Sequence, residues 1–486
     1  MDIATYTDVC AKKIRIHHRF WRVFRENDGT LRGVTFPTSN ACTVELLPHF
    51  GQASWMKTSL RSAPSHDAAT PSQARLVDAG FEIALDGGLG ALSARALADR
   101  LDASPSAMNY HFGNRDGLLE ALQKRALAQS QAWRSEHASA PGDLAPWTTT
   151  ADIVLALIQA RLSQTRRLQL LLLEFAAEAE ICPGLAADAQ AEAEADDRFW
   201  TDVAVRIDDG AGSAAIWSDM AAGLILNFAS EESPAVRGAW MGGALRRLAD
   251  RLDRRTASPI ELTTGLDPVG RLQSRAPRGE TASRIVRAAL QVIGDKGAAR
   301  MSQREVAAAA GVSLAAVTYF YRTRSDLIAA AFSALHSGLR SEVLDRSGTV
   351  PERGSWSAAV FDGEGKFDWR AGALRELMVL AGRDRSLIGI VQDSRASHGA
   401  TSISLLQRHG VADADQIDAF VLSTVLRGAS ERVRFMPPQM RAAAFEARAK
   451  QAFTLVFKPT PPQTPAALRP SATAAPTEPS SPGAQP

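Results

Sequence analysis

Sliding the chain along itself by 209 residues brings Arg75–Leu119 onto Arg284–Ile328 without a gap. Identical pairs include Arg75/Arg284, Asp86/Asp295, Gly88/Gly297, Ser93/Ser302, Arg95/Arg304, Ala98/Ala307, Ser104/Ser313, Tyr110/Tyr319, Arg115/Arg324 and Leu118/Leu327. Agreement over a whole supersecondary unit means duplication, so the fold must hold the same unit twice. The stretches behind the copies, about 120–255 and 329–458, match only loosely but share length and helical type. Apolar residues recur three and four apart, as in Leu76, Gly80, Ile83 and in Ile153, Leu157, Ala160, and β-branched runs are scarce. This pattern implies an all-α protein. Residues 256–279, with Pro259, Pro268 and Pro277, read as a linker, and the Pro/Thr/Ser/Ala-rich 459–486 as a disordered tail.

Within each copy the punctuation is clear. A first helix runs from about Ser72 to Asp86 and stops near Gly88, a residue suited to the left-handed position after a helix. A short second helix begins after Ser93; in the other copy Ser302 and Glu305 have capping-box spacing. A tight turn follows, Asp102-Ala103 or Gly311-Val312. Ser104 then supplies an N-cap with Pro105 in the first helical position, and Ser313 repeats the cap. Two short helices joined by such a turn form a helix-turn-helix, whose second helix enters the DNA major groove.

The positions expected to meet base edges are Pro105, Ser106 and Asn109 in the first copy, and Leu314, Ala315 and Thr318 in the second. Asn pairs bidentately with adenine, Ser and Thr act as tolerant donors or acceptors, and Ala or Leu can touch thymine methyls. Of the four tyrosines in the chain, Tyr110, Tyr319 and Tyr321 fall at the ends of these helices. Their phenols, with His111, Arg115, Arg322 and Arg324 close by, are expected at phosphates. The competing reading is that the tyrosines cap a three-helix core.

The pattern Arg-[Leu/Ile]-Val-x-Ala-x8-Gly, then Ala-x5-Ser-x5-Tyr-[His/Phe]-[Phe/Tyr]-x2-Arg-x2-Leu-[Leu/Ile], resembles the N-terminal domain of TetR-family regulators. The resemblance covers Ser72–Gln129 and Glu280–Gly338 well. The position where the family usually carries a recognition-helix tyrosine holds Asn109 and Thr318 here. The resemblance implies two tandem units, each a three-helix DNA-binding headpiece followed by a helical domain for small-molecule binding and dimerisation. It further implies a ligand-responsive repressor on double-stranded DNA. The expected division is leader 1–71, headpiece 72–130, regulatory domain 131–255, linker 256–279, headpiece 280–338, regulatory domain 339–458 and tail 459–486. Two readings of the leader stay open: translation starting at Met56, or a genuine extension.

Ser213–Ala229 and Pro234–Leu252, with Gln416–Val433 and Pro438–Phe457, are the expected pairing helices. Two complete units in one chain suit an intrachain pseudo-dimer on an asymmetric site, with a homodimer of four headpieces as the competing arrangement. Trp147, Phe175, Phe199 and Trp217, or Trp369, Met378 and Phe420, are candidates for a ligand cavity or for ordinary core. The alternative function is a helical ligand-sensing or protein-interaction module in which a headpiece has lost DNA.

Other classes find little support. There is no P-loop, HExxH or GxSxG, and Cys10, Cys42 and Cys182 form no CxxC, so no enzyme, metal site or cofactor is expected. No signal sequence or membrane-length apolar run is seen, so a cytoplasmic, nucleoid-associated protein is expected. The net charge of +2, from 55 Lys+Arg and 53 Asp+Glu, conceals a polarity. Residues 1–55 hold seven basic and five acidic residues, which is the whole excess. Ser72–Ala128 carries six basic and seven acidic residues, whereas Glu280–Ser337 carries seven and four. The second headpiece is therefore expected to contribute more phosphate affinity.

Overall fold

The computed structural model describes residues 72–139, 145, 148–207, 212–255, 277–345, 357, 360, 361 and 368–457. The leader, the linker up to 276, the tail and Trp147 lie outside the described residues. The first half contains α1 (Gln73–Gly87), α2 (Ala94–Leu101), α3 (Ser106–Phe112), α4 (Arg115–His137), α5 (Thr150–Gln164), α6 (Arg166–Glu178), α7 (Ala186–Ile207), α8 (Ala214–Phe228) and α9 (Pro234–Leu252). The second contains α10 (Glu280–Lys296), α11 (Gln303–Ala310), α12 (Leu314–Phe320), α13 (Arg324–Asp345), α14 (Trp369–Ala381), α15 (Ile388–Arg408), α16 (Gln416–Val433) and α17 (Pro438–Ala452). No strand occurs among the described residues.

The local signals act as their chemistry requires. Ser93 caps α2 by accepting from Ala96 N, and Ser302 with Glu305 closes a capping box on α11. The turns after α2 and α11 pass through left-handed Asp102 (φ 50°) and Gly311 (φ 63°). Regular α3 begins at Ser106, but Pro105 already has helical dihedrals and Ser104 Oγ accepts from Ser106 N at 3.3 Å. Ser313 does the same for α12, accepting from Ala316 N at 3.1 Å.

The expected boundaries lie at 130 and 338. Both fall inside single helices, α4 and α13. In α4, Leu118, Leu119 and Leu122 pack in the headpiece core while Trp133 belongs to the core of the following domain. One rigid helix is thus shared between headpiece and regulatory domain.

A carboxylate adds a second tie in each half. Glu174 on α6 accepts from Leu89 N at 2.6 Å, and Glu376 on α14 accepts from Ala298 N at 2.5 Å. Each holds the short turn after the first headpiece helix. This is why Gly88 (φ 74°) and Gly297 (φ 84°) recur: a Cβ would lie 2.6 Å from Glu174 and 3.0 Å from Glu376. Burial pushes both carboxyls above their ordinary range. The ties also cross between halves. Arg383 binds Glu174 at 2.8 Å and Leu85 O at 2.6 Å, while Arg300 binds both oxygens of Glu178 at 2.6 Å.

The two halves meet chiefly through α8 and α16. Gly223 and Gly428 stand at the crossing: a Cβ on Gly223 would lie 2.0 Å from Thr424 O, and one on Gly428 would lie 1.7 Å from Asp219 O. Backbone therefore touches backbone, and Met220, Leu224, Val421 and Val425 are buried around the contact. Trp240 of α9 packs 5.4 Å from Phe420 of α16. Ion pairs surround this seam. Arg247 and Arg251 of α9 bind Asp418 of α16 at 3.0 and 2.6 Å. Arg448 of α17 binds Asp219 at 2.9 Å and Asp197 at 3.1 Å. Asp196 accepts from Arg432 at 2.9 Å and from Arg161.

Burial alone would raise the Asp196 carboxyl, but Arg161, Arg432 and Arg134 outweigh it and hold the group well below the usual range. A depressed folded-state pKa contributes stability above the unfolded value of about 3.9 and loses it as pH falls. Asp196→Asn is expected to cost about 3 kcal/mol at pH 7, because two buried guanidiniums lose their partner. In urea titrations at stepped pH, the gap from wild type should narrow below about pH 4; a constant gap would contradict the assignment. Gly428→Ala is expected to lower the urea midpoint by the equivalent of about 2 kcal/mol or more, through overpacking of the crossing.

Candidate nucleic-acid interface

Short α3 and α12 are positioned by the capped turns before them and by α4 and α13 behind them. Ala107 and Val317 face inward and are buried, which turns the opposite side of each helix outward. On α3 the outward residues are Ser104, Pro105, Ser106, Asn109 and Tyr110. On α12 they are Ser313, Leu314, Ala315 and Tyr319, with Arg322 just beyond. The candidate base-reading residues therefore share one exposed face in each headpiece, with one exception. Thr318 is half-buried and its hydroxyl donates back to Leu314 O and Ala315 O at 3.2 and 3.1 Å, so it presents its methyl more readily than a free donor.

Tyr110 and Tyr319 are 79% and 82% exposed. Each ring stands edge-on to its neighbour, His111 at 4.9 Å and Phe320 at 5.3 Å. Their matched posture leaves both hydroxyls at the surface, where a phenol can donate to a phosphate oxygen. His111 takes the place that Phe320 fills in the other copy, half-buried, with its Nε2 buried and without a partner. Its ring backs that of Tyr110.

Three further expectations change. Tyr321 is buried in the main core, its carbonyl accepts from Gln303 Nε2 at 2.9 Å, and burial raises its phenol pKa. Its counterpart Phe112 has no hydroxyl at all, the signal that marks this position as core. Arg115 donates to Leu89 O at 3.3 Å and Glu178 at 3.1 Å. Arg324 donates to Ala298 O at 2.6 Å and Met301 O at 2.8 Å, and burial lowers its pKa. Leu89 and Ala298 are equivalent in the repeat, so these two arginines recur as internal ties of the headpiece.

The charge difference has a local form. Arg322 is exposed where the first copy has Gly113. Arg95 pairs with Asp99 at 3.8 Å on the surface, whereas the second copy has Arg304 with Ala308 in the acid's place. Sequence reasoning missed the anchors Glu174, Glu178, Glu376, Arg300 and Arg383. Glu174 and Glu376 lie outside the 209-residue register, and the repeated glycines whose positive φ admits them were the available clue.

Of the cavity candidates, Phe175 lines a cavity, Phe199, Trp217, Met378 and Phe420 are core, and Trp369 is 44% exposed. No group of His, Cys, Asp and Glu among the described residues is arranged to hold a metal. No helix among them is long and apolar enough to cross a membrane.

Residues 76–122 and 285–331 each match the family described as bacterial regulatory proteins, tetR family. No curated protein matches the chain. Arg322→Ala is expected to reduce the slope of log affinity against log salt by about 1, the signature of a lost phosphate contact. Arg324→Ala should leave that slope unchanged and instead cost about 2 kcal/mol in thermal unfolding. The reverse pattern would restore Arg324 to the DNA.

Proposed function

Since this chain is a TetR-family DNA-binding regulator carrying two TetR-type units in tandem, we propose that its units pair within one polypeptide and read an operator with two unlike half-sites. It acts as a ligand-responsive repressor on double-stranded DNA in the cytoplasm. A palindromic operator calls for two identical readers related by a two-fold axis, with major grooves about 34 Å apart in adjacent half-sites. Here the axis is approximate, and the readers differ: Pro105, Ser106 and Asn109 on one side, Leu314, Ala315 and Thr318 on the other. Asn109 suits adenine, whereas Leu314 and Ala315 suit thymine methyls. Tyr110 and Tyr319 supply matched phosphate contacts, and Arg322 adds charge on the second side only.

The observation that carries this reading is the mismatch of charge across the seam. Superposing Gly223 on Gly428 puts Ser213 in the place of Asp418. Superposing Pro234 on Pro438 puts Gln451 and Leu455 in the places of Arg247 and Arg251. Two first halves facing each other would leave Arg247 and Arg251 opposite serine, and two second halves would leave Asp418 opposite glutamine and leucine. A buried charge that loses its partner costs about 3–5 kcal/mol, so like-with-like pairing is disfavoured and unlike pairing is selected. Joining the halves by a linker raises their effective concentration for each other as well.

Repression follows if the DNA-bound conformer is the unliganded one, since a ligand shifts an equilibrium only by binding one conformer better. Selection from random duplexes is expected to return one asymmetric sequence bound by a single chain. The triple substitution Leu314→Pro, Ala315→Ser, Thr318→Asn should move the selected site toward a palindrome of the first half-site. A palindrome recovered with the wild-type chain would overturn the reading. Absence of salt-sensitive, sequence-selective binding would instead favour a sensor or interaction module.

A further inference from the structure

A cavity of about 120 Å³ lies among α4, α6, α7 and α8 of the first half and is lined from the second half by Arg375, Glu431, Arg432 and Phe435. At roughly 10–15 Å³ for each water-sized occupant, it has room for a ligand on the order of ten non-hydrogen atoms. Leu127, Leu172, Leu173 and Phe175 make much of its wall apolar. Four of its lining side chains keep a buried polar atom without a hydrogen-bond partner: Nε of Arg161 and of Arg432, Nη2 of Arg375 and Oε1 of Gln123. Arg375, 5% exposed, gives Nε to Glu431 at 2.9 Å and Nη1 to Leu173 O at 3.1 Å, but its Nη2 has no acceptor. Gln123, 1% exposed, gives Nε2 to Leu185 O at 3.0 Å, and its Oε1 accepts from nothing. Such orphans cost about 1–3 kcal/mol each and mark a place where a partner is missing.

The charges that line the cavity balance, Arg161, Arg375 and Arg432 against Glu192, Asp196 and Glu431. Glu431 is buried among Arg375, Arg427 and Arg434, and Glu180 pairs with Arg434 at 2.8 Å. Beside it, Arg375, Arg427 and Arg434 stand among Glu431, Glu180 and Glu376. Three of the four unpartnered atoms are guanidinium N–H donors, so an acceptor group is favoured there. The arrangement is also one-sided. Arg375 precedes Glu376 as Leu173 precedes Glu174, so a mirror-image cavity would have leucine where this one has its cation.

We propose that this cavity is a binding site, one per chain, for a small amphipathic carboxylate: the acid accepts from Arg375 Nη2, the apolar body packs against Leu172, Phe175 and Phe435, and a hydroxyl or amide N–H donates to Gln123 Oε1. The helix that feels the occupant is α6. It presents Leu173 and Phe175 to the cavity, while Glu174 holds Leu89 N and Glu178 holds both Arg115 and Arg300. Occupancy therefore bears on both headpieces through one helix; this consequence, unlike the site itself, rests on the ligand-responsive reading above.

Calorimetric titration of the full chain with octanoate and benzoate, and with octanol and benzyl alcohol as uncharged counterparts, tests the site. The expected result is one carboxylate per chain, bound at least about tenfold more tightly than the matching alcohol, which is about 1.4 kcal/mol. Arg375→Met should abolish that preference and leave alcohol binding within about twofold. Ala176→Leu, which fills the cavity without touching the ion pairs, should weaken carboxylate and alcohol together; circular dichroism checks that both variants fold. Equal binding of acid and alcohol, no saturable binding of either carboxylate, two acids per chain, or a preference surviving in Arg375→Met overturns the proposal. Operator binding by the unliganded protein is measured alongside. If it persists while the titration fails, only this inference falls; if it is absent while the titration succeeds, the functional reading falls and the site stands.

Discussion

The glycine crossing between α8 and α16 is the contact on which the arrangement of the chain depends. Each glycine admits the other helix's backbone to a distance that no side chain allows, and this close approach brings the flanking charges within reach of each other. Arg247 and Arg251 then meet Asp418, while Arg432 and Arg448 meet Asp196, Asp197 and Asp219. Close packing supplies attraction without selectivity, since the same glycine is present in both halves. Selectivity comes from the charges, which differ. A duplicated gene product would start with two interchangeable halves; in this one the charges across the seam differ and complement each other, which is the basis of the proposed unlike pairing.

Positioning of the headpieces follows from that pairing. Each is held to its own half by a shared long helix and by a buried carboxylate on a strained turn. Each is also tied to the opposite half, the first through Arg383 and the second through Arg300. Helix α6 sits where these ties converge, with the cavity on one flank and Glu174 and Glu178 at the headpieces. In the proposed reading a small displacement of α6 bears on both headpieces, although Arg375 comes from one half only. The surface that meets DNA inherits the same lopsidedness, with Arg322 and fewer acids on the second headpiece.

Much of the architecture was legible in the sequence because its signals are local. Serine N-caps and the glycines after the first helices act within a few residues and recur in both copies, while the Ser-x-x-Glu spacing and the Ser-Pro start each sharpen one copy. The pairing helices were legible too, from their position at the end of each half. What was not legible depended on contacts distant in the chain. Arg115 and Arg324 look like phosphate ligands in the motif, yet their guanidiniums find carbonyls and Glu178 inside the molecule. Tyr321 looks like a partner to Tyr319, but a two-residue step along the chain turns it from the surface into the core. Arg375 carried no signal at all, since its significance depends on a cavity whose apolar wall comes from residues some two hundred positions earlier.

Intrachain pairing of the two halves is tested most directly by the mass of the protein in solution, by light scattering after size exclusion, free and bound to its selected operator. The account requires a species of 52.0 kDa free in solution and one such chain on each operator. A free species of about twice that mass, or two chains on one operator, would contradict it.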